Sequence, residues 1–192
     1  MDAARELFVG LGYEAASMRK IAEKVGVTAT AIYTYFPDKE ALLLEICNAD
    51  FLALRNAFGR LARVADPVER MRRLGLAYVE FAAKNPNHYR LMFMVPHSHE
   101  MVEAGAIEHG NPDQDAYAFL KATVAECIAA GRFLAQYDDP DTVAQMLWAS
   151  VHGLVSLHLA KGEDGWIVFR PLKKTAQELI DVTLRGMLAG QG

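Results

Sequence analysis

Ser17, Thr28, Thr30, Tyr33, Thr34 and Tyr35 put six hydroxyl groups into one short stretch, with Arg19 and Lys39 beside them. Hydroxyls of this kind donate and accept hydrogen bonds, and the two cations pair with anions. No acid–base pair or nucleophile stands among them. The chemistry they suit is recognition. Small polar groups, with Ala29 and the threonine methyls, fit base edges, thymine methyls and phosphates.

Two short helices must position these groups. Ser17 is a good N-cap for a helix of about residues 18–25, closed by Gly26. Thr28 caps a second helix of about residues 29–35. Ala22 is small where the helices cross, Gly26 allows a sharp turn, and Ile21, Val25, Val27 and Ile32 are expected apolar pins. A small residue, Gly four later and an apolar residue six after that is helix-turn-helix spacing, here Ala22, Gly26 and Ile32. Thr28, Ala29, Thr30, Tyr33 and Thr34 then lie on the exposed side of the second helix.

Helical periodicity runs through the rest, and strand-like alternation is absent. Further helices are expected at about 2–11, 39–62, 67–84, 86–94, 113–130, 140–160 and 171–188. The fold expected is all-α, with about nine helices. A head over residues 1–48 would precede a helical body over 49–192, with the long fourth helix as the lever between them. Residues 95–111 show no clear period.

The chain has 192 residues and a formal net charge of −4. Residues 1–48 hold five Lys/Arg (Arg5, Arg19, Lys20, Lys24, Lys39) and seven Asp/Glu (Asp2, Glu6, Glu14, Glu23, Asp38, Glu40, Glu45). DNA binding must therefore rest on placed groups and helix N-termini, not on a bulk positive field. The two cysteines, Cys47 and Cys127, sit in apolar helical patterns and read as buried reduced thiols. No stretch reads as a signal peptide, and the apolar runs look too short and interrupted to span a bilayer. A cytoplasmic protein without membrane contact is expected.

Gly-rich phosphate loops, His-Glu-x-x-His, Glu-x-x-His pairs and Gly-x-Ser-x-Gly are missing, which argues against an enzyme, and no cofactor is implied. His88, His97, His99 and His109, with Glu100 and Glu103 among them, leave a metal-responsive reading as an alternative, although their spacing fits no tight template. A helical interaction module without DNA binding is the other alternative.

Residues 3–48 resemble the tetracycline-repressor (TetR) family of transcription regulators. The resemblance rests on Ala3-Ala4-Arg5-Glu6-Leu7-Phe8, Gly12-Tyr13-Glu14-Ala15, Ser17-Met18-Arg19-Lys20-Ile21-Ala22, Val25-Gly26-Val27, Ile32-Tyr33-Thr34-Tyr35-Phe36 and Asp38-Lys39-Glu40-Ala41-Leu42-Leu43. It implies that Ser17 and Thr28 hold phosphates through hydroxyl and backbone N–H. Arg19 would lie near the backbone or groove, Ala29, Thr30 and Thr34 would face bases, and Tyr33, Tyr35 and Lys39 would reach phosphates. Tyr35 and Phe36 are alternatively core pins. Thr30 stands where many members have Gly. Members usually carry a further turn and often a basic arm upstream. Either this protein lacks that arm or the sequence is trimmed.

The body is similar to members with a C-terminal domain named for a Trp-His-Gly pattern, on Asn85-Pro86-Asn87-His88-Tyr89-Arg90-Leu91-Met92-Phe93 and on Trp148, His152 and Gly153. The resemblance implies a homodimer on a pseudo-palindromic, double-stranded operator, commonly a repressor released by a small inducer. The last two helices would form the interface, through Met146, Ser150, Gly153, Leu154 and Leu157 on one and Leu172, Ala176, Leu179, Ile180, Thr183 and Met187 on the other. These stripes are alternatively intramolecular core. Tyr78, Phe81, Tyr89, Met92, Phe93, Phe119, Thr123, Cys127, Trp148 and His152 are pocket candidates for an apolar ligand with a polar handle.

Overall fold

A computed structural model describes residues 1–95, 107–162 and 164–190. Among the described residues there are nine α-helices: α1 (Asp2–Leu11), α2 (Met18–Val25), α3 (Ala29–Tyr33), α4 (Lys39–Gly59), α5 (Pro67–Lys84), α6 (Pro86–Met94), α7 (Ala116–Ala129), α8 (Pro140–Lys161) and α9 (Leu172–Met187). A short 3-10 helix, Arg60–Arg63, follows α4, and one isolated bridge pairs Phe133 with Leu188. The all-α expectation holds. Three boundaries differ by two residues or more. Helix α4 ends at Gly59, three residues early, where Arg60–Arg63 tightens into the 3-10 helix. The α-helix α3 stops at Tyr33, two residues early, because the amides of Tyr35 and Phe36 both turn back to the Ile32 carbonyl. Helix α7 starts at Ala116 because the Asp115 carboxylate accepts from the amides of Tyr117 and Ala118 and fixes the N-cap there.

The chain forms two compact units, Met1–Ala53 with Asn85–Glu108, and Leu54–Lys84 with His109–Gly192. The first has a core of Ala4, Phe8, Ala16, Met18, Ile21, Leu42, Leu43, Ile46, Cys47 and Leu91, so α6 contributes to the same core as α1, α2 and α4. A buried ion pair crosses this core. Arg5 donates to both carboxylate oxygens of Asp50, at 2.9 and 2.6 Å, and His88 Nδ1 lies 2.9 Å from Asp50 Oδ1.

In the second unit α5 packs against α7, α8 and α9. Gly75 leaves the room that Ile180 of α9 fills, since a Cβ there would come within 2.8 Å of Ile180 Cδ1. The buried Arg70 donates to both carboxylate oxygens of Glu126 and to the Val64 carbonyl, and Arg72 reaches Asp181 at 2.6 Å. The chain after α9 is pinned by Leu134 N–H to the Met187 carbonyl and Ala189 N–H to the Arg132 carbonyl.

By length and composition α8 does meet the requirement for a bilayer span, contrary to the sequence expectation, with a mean hydropathy of 1.2 over its most apolar window. It packs against α5, α7 and α9 as a core element. Only 28% of that window is nevertheless buried.

Candidate nucleic-acid interface and effector body

The helix-turn-helix is built by capping. The Ser17 hydroxyl accepts from Lys20 N–H at 3.3 Å, and the Thr28 hydroxyl accepts from Ala31 N–H at 3.2 Å. Gly26 ends α2 with φ 73°, a left-handed conformation that favours glycine, and its amide and that of Val27 return to the end of α2. Ile21 is buried and Ile32 packs against the core, as pins should. Val25 and Val27 do not act as pins. Each is 47% exposed, on the wall of an open apolar cleft of about 250 Å³ that Met1, Ala31, Ile32 and Tyr35 also line.

Ser17, Arg19, Thr28, Thr30, Tyr33, Thr34 and Tyr35 are all exposed, while Ala29 and Lys39 are half-buried. Tyr35 is 80% exposed and is no core pin, whereas Phe36 packs against the core. The Thr34 hydroxyl donates back to the Thr30 carbonyl at 3.1 Å. The Lys39 ammonium donates to the Tyr13 carbonyl, a partner that spacing 26 residues apart gave no means of finding.

In the second unit the Tyr78 hydroxyl lies 2.8 Å from His152 Nδ1, and the Trp148 ring meets His152 edge-on at 5.6 Å. Burial lowers the His152 pKa and favours its neutral form. Tyr117 stands 6.1 Å from Trp148, with its hydroxyl donating to Asp141. Phe119 is buried under the Arg55 guanidinium, 4.6 Å from its ring centre. Neither Arg55 nor Tyr117 stood out in the sequence, although a lone cation directly after the apolar run Phe51–Leu54 was the available signal for Arg55. Phe81 is buried on α5. Thr123 is buried and spends its hydroxyl on the Phe119 carbonyl, so it offers a ligand little. Cys127 is fully buried, and burial pushes its thiol up to about 11 and that of Cys47 up to about 12. Both are poor nucleophiles. Tyr89, Met92 and Phe93 belong to the first unit, where the Phe93 ring meets Phe51 edge-on and Tyr89 at a tilt.

The expected dimer stripes divide. Met146 and Leu157 on α8 are 43% and 57% exposed, and Ser150, Gly153 and Leu154 are half-buried. On α9, Leu172, Leu179 and Thr183 are half-buried. Ala176, Ile180 and Met187 depart from the expected stripe: they are buried within the protomer, one and then two turns apart on the side of α9 that packs on α5 and α8, with only 0%, 4% and 3% of their surface left for a partner. Val182, missed in the sequence, is 60% exposed on the outer face.

Among the described residues no group of three or more His, Cys, Asp or Glu is placed to hold a metal. His88 meets Asp50 and His109 lies 4.0 Å from Asp115. His97, His99, Glu100 and Glu103 lie outside the described residues.

Residues 1–46 match the family model described as bacterial regulatory proteins, tetR family, and residues 71–183 match the tetracyclin repressor-like C-terminal domain. The second match names no Trp-His-Gly subgroup, so that finer resemblance rests on residues 85–93 and on Trp148, His152 and Gly153. The chain is 30% identical to the HTH-type transcriptional regulator RutR of Escherichia coli over 160 residues, 78% of this chain and 69% of that protein. It is 33% identical to the HTH-type transcriptional activator FasR of Mycolicibacterium smegmatis over 92 residues, 47% of this chain, and spans 42% of that relative's length. The fold is that of the fatty acid degradation regulator FadR from Bacillus halodurans, with a TM-score of 0.75 at 18% identity over 96% of each chain. SmeT, repressor of a Stenotrophomonas maltophilia multidrug efflux pump, gives 0.73 at 22% identity over 99% of this chain and 89% of that one. Both halves of the chain match models of one family, and the protein belongs to the TetR family of helix-turn-helix transcriptional regulators.

Proposed function

We propose that the protein is a homodimeric repressor that leaves a pseudo-palindromic operator when a small, apolar-leaning molecule binds its body. The observation that carries the DNA half is the outer side of α2 and α3. Ser17, Arg19, Thr28, Thr30, Tyr33, Thr34 and Tyr35 are exposed along α2, α3 and their flanking residues, and the capping hydroxyls of Ser17 and Thr28 accept from their helices and so keep their O–H donors for a phosphate. Regulators of this family bind operator DNA and act as dimers. Two heads read half-sites about one helical turn, roughly 34–36 Å, apart.

The effector reading rests on Tyr78 and His152. A hydrogen-bonded phenol–imidazole pair beside Trp148 supplies one polar handle among aromatic walls. A ligand that prefers one arrangement of the heads by about 1.4 kcal/mol lowers operator affinity tenfold. The test is a salt-dependent gel shift on DNA flanking the protein's own gene, followed by selection of bound sequences. Recovery of a two-fold symmetric site supports the reading. Binding without sequence preference, or none at low salt, overturns it.

A further inference from the structure

The link between α8 and α9 carries Trp166, Ile167 and Val168 in a row, exposed to 72%, 45% and 85%. Large apolar side chains exposed singly are ordinary, but a contiguous set marks a surface that something covers. The turn is also built. Trp166 N–H donates to Asp164 at 3.0 Å, Asp164 pairs with Lys161 at 3.1 Å, and Gly165 takes the left-handed φ of 71°. Phe169 anchors the far side, edge-on against His158 at 5.4 Å. The backbone therefore holds the three apolar side chains outward.

We propose that the Trp166–Val168 turn is a dimerisation element, covered by a second copy of this chain. The inference rests on the homodimer reading and extends it from helix faces to a connecting turn. Continuity carries it. Met146, Ser150, Gly153, Leu157 and Lys161 recur at three- and four-residue steps and so share one face of α8. Leu157 is 57% exposed there, and Lys161, one turn on, holds its ammonium 6.0 Å over the Trp166 ring. The turn thus prolongs the outward face of an apolar helix of which little is buried in the protomer. Exposure agrees. Trp166 and Val168, at 72% and 85%, stand further clear of the protomer than Met146 and Leu157 on the α8 face, at 43% and 57%, so the turn carries the most uncovered apolar side chains of that surface.

The test is hydroxyl-radical footprinting of the full chain, read separately at Trp148 and Trp166, along a dilution series followed by sedimentation. Trp166 is expected to oxidise several-fold more slowly in the dimer than in the monomer. Val168→Asp and Trp166→Ser are each expected to raise the dimer dissociation constant about tenfold or more, with helical content unchanged by circular dichroism. Equal oxidation of Trp166 in dimer and monomer, or wild-type dimerisation by both variants, overturns the proposal and leaves the homodimer reading standing. A chain that is monomeric at every concentration removes both. Binding to anionic phospholipid vesicles that Val168→Asp abolishes, with dimerisation untouched, assigns the turn to a membrane and also overturns it.

Discussion

The Lys39 ammonium donates to the Tyr13 carbonyl at 2.7 Å and lies 4.0 Å over the centre of the same residue's ring. The first turn of α4 is thereby tied to the turn that follows α1. An ammonium has three donors, so one bond to Tyr13 leaves donors for a phosphate. The carbonyl holds the group in place before DNA arrives.

Lys39→Ala is therefore expected to lower the slope of log affinity against log salt by about one unit per half-site. The loss of the cation–π contact should cost only about 0.5–1 kcal/mol of stability. Operator titrations at several salt concentrations check the first point, and denaturant unfolding checks the second. An unchanged slope with reduced stability would make Lys39 a structural residue only.

Thr34 and Thr30 should behave differently. The Thr34 hydroxyl donates to its own helix, at the Thr30 carbonyl, so toward a base it presents its methyl and an acceptor oxygen but no donor. Thr34→Val is expected to keep the selected consensus, while Thr34→Ala and Thr30→Ala each shift preference at one or two base pairs, by about 1–3 kcal/mol. Selection from a random pool with each variant decides it. An altered consensus for Thr34→Val alone would mean that the hydroxyl, not the methyl, reads the base.

The head was legible from residue types because its determinants are local. Ser17, Thr28 and Gly26 act within four residues of themselves, and caps and turns are chemistry that spacing displays. The pairing of Arg5 with Asp50, or of Lys39 with Tyr13, joins residues far apart in the chain and leaves no periodic trace. The α9 stripe shows a related limit. Ala176 and Leu179 lie one turn apart in any helical pattern, yet one faces the protomer core and the other its flank. A rotation of about 100° per residue decides which, and hydrophobicity alone does not resolve it.

Asp50 is 1% exposed and bonds Arg5 through both oxygens, with His88 against one of them. Asp50→Asn keeps the shape but leaves the buried Arg5 cation without its full partner. The expected loss is about 3–5 kcal/mol. The double variant Arg5→Met, Asp50→Leu should cost less than the sum of the two single changes, since no lone charge remains buried. Urea unfolding of the four proteins in the cycle checks this. Additive losses would show that the pair is uncoupled.

His152 gives a pH dependence of known sign. Burial lowers its folded pKa below the ordinary 6.5, so below that value the unfolded chain binds more protons than the folded one. Stability associated with neutral His152 is complete above about pH 6.5 and is lost as pH falls through the lower, folded value. Melting temperature followed from pH 8 to 5 should show this fall, and His152→Gln should flatten it. The same variant breaks the present contact with Tyr78. A fall of equal size in His152→Gln would assign it to other groups.

Trp148 and Phe119 separate packing from effector recognition. Phe119 is 8% exposed under Arg55, and removing its ring should cost about 3–5 kcal/mol whatever its role in binding. Trp148 is only half-buried, between Tyr117 and His152, so its removal should cost less stability. If the Tyr78–His152 pair is the polar handle, Trp148→Ala should still fold, dimerise and bind operator, yet respond weakly to compounds that release the wild type. A panel of small apolar compounds with one polar group supplies the probes, and melting temperature, operator affinity and release are measured on each variant together. The contrast between the two residues is the informative part. Equal losses of stability and DNA binding in both, with release intact in the folded fraction, would mean that Trp148 is packing and that the effector binds elsewhere.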